Sequence, residues 1–463
     1  MSEKFTEIRE KMEKFGVAEA AIKAFERSFA QLDSDATGLI SEGEIAPAEG
    51  VVDYEELPAR PDFDAGLLAR TVVIKLNGGL GTGMGLEKAK SLLEVKPGKT
   101  FLDLIARQIL HLRETTGSPV RFLLMNSQAT SADTLSYLAG KAAELGGADE
   151  VELLQNWAPK LRTEDLRPVT WEANPALEWC PPGHGDLYPA LVASGWLERL
   201  LAEGVRYAFV SNSDNLGAVL DPTMLSYFAE SGQPFLMEVT RRTEADKKGG
   251  HLATRRADGR LILREVAQCP DEDLGQFQDI SKYRYFNTNN LWIDLQALQA
   301  VMDAAGGVMP LPVIRNRKTV DPRDSDSTPV VQLEVAMGAA LESFEGAGAI
   351  SVPRSRFAPV KSTSDLLALR SDAYVEAENG CLQLAPERQG QPPVVSLSGD
   401  YKLVDSLDRL GAPSLLAATK LEIQGDLELG SPLAIKGNVS FENTGSERAS
   451  VPSGVYENET WTA

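Results

Sequence analysis

Apolar positions near the start of the chain recur with a helical period. Phe5, Ile8, Met12 and Phe15, then Ile22, Phe25, Phe29 and Leu32, fall three or four residues apart. That spacing predicts one or two amphipathic helices between Phe5 and Leu32. A connector rich in proline and acidic residues follows, through APAEGVVDYEELPARPDFD. From Arg70 onward short β-branched runs alternate with helical patterns. TVVIKL, VRFLLMN, RYAFVSNSDN and PFLMEVT read as strands, and TFLDLIARQILHLRETTG and YPALVASGWLERLLAEG as helices. The alternation predicts an α/β domain with a mainly parallel sheet. In such sheets ligands sit at the carboxyl ends of the strands.

The tail has a different pattern. LEIQGDLELGSP, from Leu421 to Pro432, runs straight into LAIKGNVSFENT, from Leu433 to Thr444. Overlaying the two copies matches Leu421 with Leu433, Ile423 with Ile435, Gly425 with Gly437, Leu427 with Val439 and Leu429 with Phe441. Alternating apolar residues with a repeated glycine fit short strands stacked as β-solenoid coils, or a plain β-meander.

Composition narrows the classes. A chain of 463 residues, 43% hydrophobic and 24% charged, has room for two or three domains and an ample core. No apolar run approaches the length that crosses a bilayer, so no membrane partner is expected. The opening MSEKFTEIREKMEKFG carries no signal-peptide pattern. Cys180, Cys269 and Cys381 are few, scattered and odd in number, against a disulfide framework or a zinc site. A reducing cytoplasm is the expected setting. The net charge of −21 argues against non-specific nucleic-acid binding. It also means that a phosphate ligand would need a few well-placed lysines to draw it in.

The candidate chemistry begins with KLNGGLGTGMGLEKAKS, from Lys75 to Ser91. A glycine-rich turn lets backbone N–H groups approach a phosphate or a flat ring closely; a ligand-free tight turn is the plain alternative. It is not a P-loop, because Met84 and Ala89 stand where the GxxxxGK[ST] pattern needs glycine. Nor can GxGxxG be placed in any register. Lys90, expected just inside the following helix, would oppose that helix's dipole unless an anion sat between them.

Three further segments carry polar residues in telling places. WCPPGHGDLYPAL fixes a rigid turn around His184 and then enters a helix that Asp186 is placed to cap. With no Ser or Cys nucleophile motif nearby, His184 reads as a substrate-contacting or structural histidine more readily than as an acid–base group. FVSNSDNLGAVLD puts Asn212 and Asp214 at a strand end. There a carboxylate suits magnesium beside a triphosphate, although an Asx turn would use the same residues. VPRSRFAPVKSTSDLL brings Arg354, Arg356 and Lys361 into an acidic chain. Its Ser-Thr-Ser-Asp run reads as a helix N-cap that points Lys361 at a helix's positive end; a solvated basic face is the alternative. DSDATGLISEGE matches calcium-loop spacing at Asp33, Asp35, Thr37, Gly38, Ile40 and Glu44. Pro47 and Gly50 forbid an exit helix and no second loop appears, so calcium binding is not expected.

Six segments in order, KLNGGLGTGMG…KS, PPGHGDLYPAL, FVSNSDNLG, MEVTRRTEADKKGGHLA, FNTNNLWIDL and VPRSRFAPVKSTSDLL, resemble the UTP–glucose-1-phosphate uridylyltransferase (UDP-glucose pyrophosphorylase) family of the eukaryote-like type. The resemblance is dense from about Val51 to Tyr374. It implies a Rossmann-like nucleotidyltransferase core, with N-terminal helices and a connector over residues 1–50, a catalytic domain over 51–390 and a small C-terminal β-solenoid over 391–463. The implied substrates are UTP and glucose 1-phosphate, with Mg2+ as cofactor and UDP-glucose as product.

The resemblance also assigns roles. Leu76, Asn77, Gly78 and Gly79 match the loop that meets the uracil and phosphates, and Lys90 the phosphate-contacting lysine. Gln155 and Gly183 match uracil contacts, His184 a sugar-phosphate contact and Asn212 a nucleotide contact. Asp214 matches the nucleotide-side magnesium ligand, Gly250, Glu265 and Asn287 the sugar pocket, and Lys361 the catalytic lysine. Ala89 replaces the family's usual proline, MNSQATSADT is a loose version of its motif, and VDPRDSDSTPV is a longer acidic loop. The implied chemistry is in-line attack by a sugar-phosphate oxygen on the α-phosphorus, which needs positioning and charge neutralisation more than a protein nucleophile. Rivals are transfer to another sugar 1-phosphate, such as that of N-acetylglucosamine or galactose, and, remotely, a calcium-regulated scaffold. Exposed strand edges in the tail would invite homo-oligomer formation.

Overall fold

The computed structural model describes residues 3–33, 38–58 and 63–463. The calcium-like loop falls partly on residues 34–37, outside the described residues. Among the described residues no helix is long and apolar enough to cross a membrane.

The N-terminal period becomes two helices, α1 (Glu3–Phe15) and α2 (Glu19–Asp33). Phe5, Ile8, Met12, Ile22, Phe25 and Phe29 form their buried face, packed on Ala158, Leu161, Trp179 and Leu333. Phe15, half exposed at the helix end, still stacks on Trp179 with ring centroids 4.0 Å apart.

Eleven strands form the central sheet. They are β1 (Ile45–Pro47), β2 (Val52–Asp53), β3 (Thr71–Asn77), β4 (Arg121–Asn126), β5 (Glu152–Leu154), β6 (Tyr207–Asn212), β7 (Phe235–Arg241), β8 (His251–Arg255), β9 (Leu261–Arg264), β10 (Tyr285–Asp294) and β11 (Gly348–Ser351). The main path runs β2-β11-β7-β10-β6-β3-β4-β5, with β8 paired to β10 and both β1 and β9 paired to β8. Pairing along that path is parallel except where β10 runs antiparallel between β7 and β6. Hence β3, β4 and β6 all end on one edge, and the glycine loop and the Asp214 turn leave from it.

Strand alternation divides the core between two faces. Val73, Phe122, Phe209 and Trp292 face one layer, which includes helices α3 (Phe101–Thr116), α4 (Gln128–Lys141) and, farther along the chain, Pro222–Ser231. Val72, Ile74, Leu123 and Val210 face the other, against Leu187–Ala193, Trp196–Ala202 and Leu295–Ala304. The start of α3 is a capping box in which Thr100 Oγ1 accepts from the Asp103 N–H while the Asp103 carboxylate accepts from the Thr100 N–H. The single helix expected over YPALVASGWLERLLAEG is two, because Gly195 adopts φ +75° and ends the run.

The tail pairs entirely in parallel. One sheet holds Val394–Leu397, Ser414–Gln424, Leu433–Glu442, Gly454–Glu457 and Thr460–Thr462, and a second pairs Leu427–Leu429 with Ala449–Val451. Leu421 lies beside Val439 and Ile423 beside Phe441, not beside Leu433 and Ile435 as the overlaid copies would have it. Ser414–Gln424 is followed by Leu427–Leu429, and Leu433–Glu442 by Ala449–Val451, so these two passes each give a strand to both sheets and are longer than the apparent repeat. Tail residues Leu407, Leu415, Leu421, Ile423 and Leu427 share one apolar cluster with Phe101, Phe122 and Phe209.

Candidate active site

The ends of β3 and β6 and the turns beyond them build one cleft. Leu76, Gly78, Gly79, Lys90, Gln155, Gly183, His184, Asn212 and Asp214 line it, joined by Met125, Pro181, Ser213 and Glu334. Nine sequence-predicted residues thus come together from five separate segments. Asn77 does not face the cleft. Its buried amide donates to Asn126 Oδ1 at 2.7 Å and Thr134 Oγ1 at 3.0 Å, holding β3 to the neighbouring strand and α4. Lys75 is also turned away, donating to Ser211 Oγ at 2.8 Å and the Ala218 carbonyl at 2.6 Å.

At the centre a single oxygen carries two cations. Asp214 Oδ2 accepts from Lys90 Nζ at 2.8 Å and from Lys361 Nζ at 3.0 Å. Burial alone would push the Asp214 carboxyl up; the Lys361 and Lys90 ammonium groups outweigh it and hold the pKa below the usual value. Asp214 Oδ1 is buried and has no hydrogen-bond partner. Lys90 also donates to the Val360 carbonyl. It sits at the start of a single 3-10 turn, Lys90–Leu92, followed by the short strand Glu94–Lys96, so the expected helix after the glycine loop is absent. Lys361 precedes helix Thr363–Arg370, capped by Ser362 and Asp365 as the Ser-Thr-Ser-Asp run predicts. The three cations of that segment separate: Arg354 pairs with Asp246, Arg356 is buried on Glu238, and Lys361 alone reaches the cleft.

The opposite wall is the turn around His184. Gly183 has φ +83°, and a Cβ there would lie 2.5 Å from the Val335 carbonyl oxygen, so only glycine fits. Its own carbonyl accepts from Gln155 Nε2 at 2.8 Å. His184 Nδ1 accepts from the Met337 N–H at 3.1 Å, which leaves Nε2 as the protonated, donating nitrogen. Burial, reinforced by the Lys361 charge, pushes the His184 pKa down to about 4. Asp186 does not cap the following helix; its carboxylate turns back to Asn156, accepting the backbone N–H at 2.6 Å. Burial pushes that carboxyl up to about 7 against the Asn156 donors. No local pattern could disclose this, because Asn156 lies on a different segment.

Gly250, Glu265 and Asn287 form a separate group. The Gly250 carbonyl accepts from the Asn287 N–H at 3.3 Å, and a Cβ on Gly250 would meet Glu265 Oε1 at 2.5 Å. Burial raises the Glu265 pKa. A register shift between Glu238 and Val239 on β7 aims Asn287 at this group and Asn290 at Glu238. Met337, bonded to His184, is followed by Gly338, where a Cβ would lie 3.2 Å from Asn287 Nδ2. That short link joins the two groups.

Among the described residues no cluster of three or more His, Cys, Asp or Glu side chains is placed to hold a metal. One carboxylate with an unpaired oxygen remains a fit for magnesium, which commonly takes one or two protein carboxylates and completes its shell with waters and substrate phosphates.

Comparison with known proteins bears on this arrangement. The family model described as UTP–glucose-1-phosphate uridylyltransferase matches residues 22–436. The enzyme of that name from Hordeum vulgare is 41% identical over 421 residues, covering 89% of this chain and 86% of its own. Its Saccharomyces cerevisiae counterpart is 40% identical over 415 residues, covering 88% and 81%. The crystal structure of a Leishmania major UDP-glucose pyrophosphorylase mutant in complex with UDP-glucose superimposes with a TM-score of 0.95 at 46% identity, covering 100% of both chains. A Trypanosoma brucei structure described as UDP-glucose phosphorylase gives 0.92 at 48%, also covering 100% of both chains.

Proposed function

The chain belongs to the UTP–glucose-1-phosphate uridylyltransferase family, and from that premise we infer that it transfers the uridylyl group of UTP to glucose 1-phosphate, giving UDP-glucose and pyrophosphate. The observation that carries the reading is the pair of lysines on one Asp214 oxygen, facing the glycine turn and His184 across one cleft.

Asp214 acts as a place-holder for phosphate. When the triphosphate enters, Lys90 and Lys361 exchange their shared carboxylate oxygen for phosphate oxygens, and the negative charge that develops during displacement is met by cations already in place. Neutral His184, with Nδ1 occupied by Met337, offers Nε2–H to a sugar-phosphate oxygen. Gln155, fixed on the Gly183 carbonyl, presents its remaining amide groups to the base. Gly250, Glu265 and Asn287 take the sugar hydroxyls. The attacking oxygen belongs to glucose 1-phosphate and the leaving group is pyrophosphate, so no covalent enzyme adduct is needed. Asp214 Oδ1 is the oxygen that would hold Mg2+, which when bound neutralises phosphate charge.

The reading extends to organisation. Residues 1–50 serve as a helical segment and connector, 51–390 as the catalytic domain and 391–463 as a short β-solenoid, a reading supported by the all-parallel pairing of the tail. Three unpaired cysteines support a cytoplasmic setting. Self-association through the tail's exposed strand edge, where Val455 is 60% exposed, is tested by light scattering on Val455→Lys; an unchanged multimeric mass excludes that edge. The reaction itself is tested by pyrophosphate release from UTP with glucose, galactose and N-acetylglucosamine 1-phosphates. Glucose 1-phosphate is expected to give the highest kcat/KM; no release with any of them overturns the reading.

A further inference from the structure

The two catalytic turns meet through the Asn215 amide and the backbone beside it. Asn215, next to Asp214 in the chain, is 1% exposed. Its Nδ2 donates to the Arg356 carbonyl at 3.0 Å, and its Oδ1 accepts from the Ala358 N–H at 3.1 Å. It also forms an isolated β-bridge with Pro359. One residue on, the Val360 N–H donates to the Asp214 carbonyl at 3.2 Å. The fit is close along the whole edge: a Cβ on Gly217 would lie 2.2 Å from the Ser355 carbonyl oxygen.

The far end of this clamp is fixed to the sheet. Arg356 donates to both oxygens of fully buried Glu238, at 2.9 and 2.6 Å. Trp292 Nε1 and Asn290 Nδ2 complete the Glu238 shell, each at 2.9 Å. On the other side of Lys361, the Asp365 carboxylate accepts the Lys361 N–H at 2.8 Å as part of the helix cap. The backbone of Lys361 is therefore stretched between two fixed points. Its side chain is 61% exposed, and an exposed ion pair to Asp214 is too weak to place it unaided.

We propose that Asn215 is a positioning residue for Lys361: it docks the 356–360 segment on the Asp214 turn and so sets where the lysine's ammonium group stands over the cleft. The proposal rests on the uridylyltransferase reading for its kinetic consequence, but not for its geometric one. Misplacing a charge by about 1 Å can cost up to about 10²-fold in rate, and the loss should fall on kcat because the lysine is needed most when charge develops.

The test is a double-mutant cycle with Asn215→Ala and Lys361→Ala, read as kcat and KM for pyrophosphate release, with UTP affinity by calorimetry, thermal unfolding and a crystal structure of Asn215→Ala. Asn215→Ala is expected to lower kcat on the order of 10-fold or more while changing UTP affinity by less than about two-fold. In the Lys361→Ala background the same change should add less than about two-fold. The crystal structure should show Lys361 Nζ withdrawn from Asp214. Full multiplicative losses in the cycle, or a lysine still seated on Asp214, overturn the proposal. If Lys361→Ala keeps normal turnover while Asn215→Ala still displaces the lysine, the functional reading fails and the positioning stands. Should Asn215→Ala not fold, Asn215→Ser, which is neutral, fills part of the space and loses the amide donor to the Arg356 carbonyl, carries the same comparison.

Discussion

Asp186 and Asn156 are joined three times over: Oδ2 accepts the Asn156 backbone N–H at 2.6 Å, and the Asn156 side-chain amide reaches Oδ1 at 3.0 Å and Oδ2 at 3.2 Å. Gln155 immediately precedes that anchor and spans to the Gly183 carbonyl. A carboxylate buried behind the His184 turn thus holds the wall assigned to the uracil. Losing a charge-assisted hydrogen bond costs about 1.5–3 kcal/mol, roughly tenfold or more in affinity. Asp186→Asn is therefore expected to raise KM for UTP about tenfold with a smaller change in kcat, assayed at about pH 8, where the carboxyl is ionised. An unchanged KM for UTP would separate Asp186 from base recognition.

The lysine pair makes a prediction about rate. Removal of one group that stabilises developing charge typically costs about 10²–10³ in kcat, or ~3–4 kcal/mol. Lys361→Ala and Lys90→Ala should each lose at least about that much. Near-normal steady-state turnover in Lys361→Ala would refute its role. Lys90 carries the additional bond to the Val360 carbonyl, so its variant should also lower the thermal midpoint, whereas Lys361→Ala should leave it nearly unchanged.

Asp214 should govern the response to magnesium. If Mg2+ titrated into metal-free protein activates it, Asp214→Ala is expected to abolish that activation, while circular dichroism stays native. Retained activation with the wild-type midpoint would exclude Asp214 as a ligand.

Gly250 offers a test confined to the sugar. A methyl group there would meet Glu265 Oε1 at 2.5 Å, closer than atoms tolerate, so Gly250→Ala must displace the Glu265 carboxylate. KM for glucose 1-phosphate is expected to rise and KM for UTP to stay within about two-fold, because the displaced Glu265 carboxylate does not line the cleft of the glycine turn. Equal rises in both would mean that the group serves the fold and not the sugar.

His251 predicts how stability changes in acid. The ring stacks on Tyr283 at 4.0 Å and its Nε2 has no partner. Burial, with the Arg242 charge beside it, pushes its pKa down to about 3. An unfolded histidine titrates near ~6.5. As pH falls below that value the unfolded chain binds the proton first, so stability present above it is lost towards the folded value, at up to ~1.4 kcal/mol per pH unit. His251→Phe, which keeps the stack, should flatten the fall in thermal midpoint between about pH 6 and 4. Identical slopes would show that this histidine charges without unfolding.

Much of the site is legible because its signals are local. A glycine-rich run after an apolar strand, a polar turn at the end of another and a helix cap after Lys361 each depend on residues a few positions apart. The residues that sequence reasoning misplaced depend on distant partners. Arg356 looks like part of a basic face until Glu238 is brought beneath it, and Asp186 looks like a cap until Asn156 arrives. The missing helix after the glycine loop has a local cause: Lys90–Leu92 makes a single turn, and the chain reverses through Gly98 at φ +69° to begin α3. The antiparallel course of β10 was also hidden, since nothing in a strand's own residues sets its direction.

The apolar cluster that runs from the central sheet into the tail makes the closing strands a foundation instead of an ornament. A protease cut or gene truncation before them would remove Leu407, Leu415, Leu421 and Ile423 from the cluster that also holds Leu104, Ile105 and Leu367. Such a shortened chain is expected to clump and lose its catalyst together, so the last seventy-odd residues cannot be shed by a descendant that keeps the reaction unless something equally greasy takes their place.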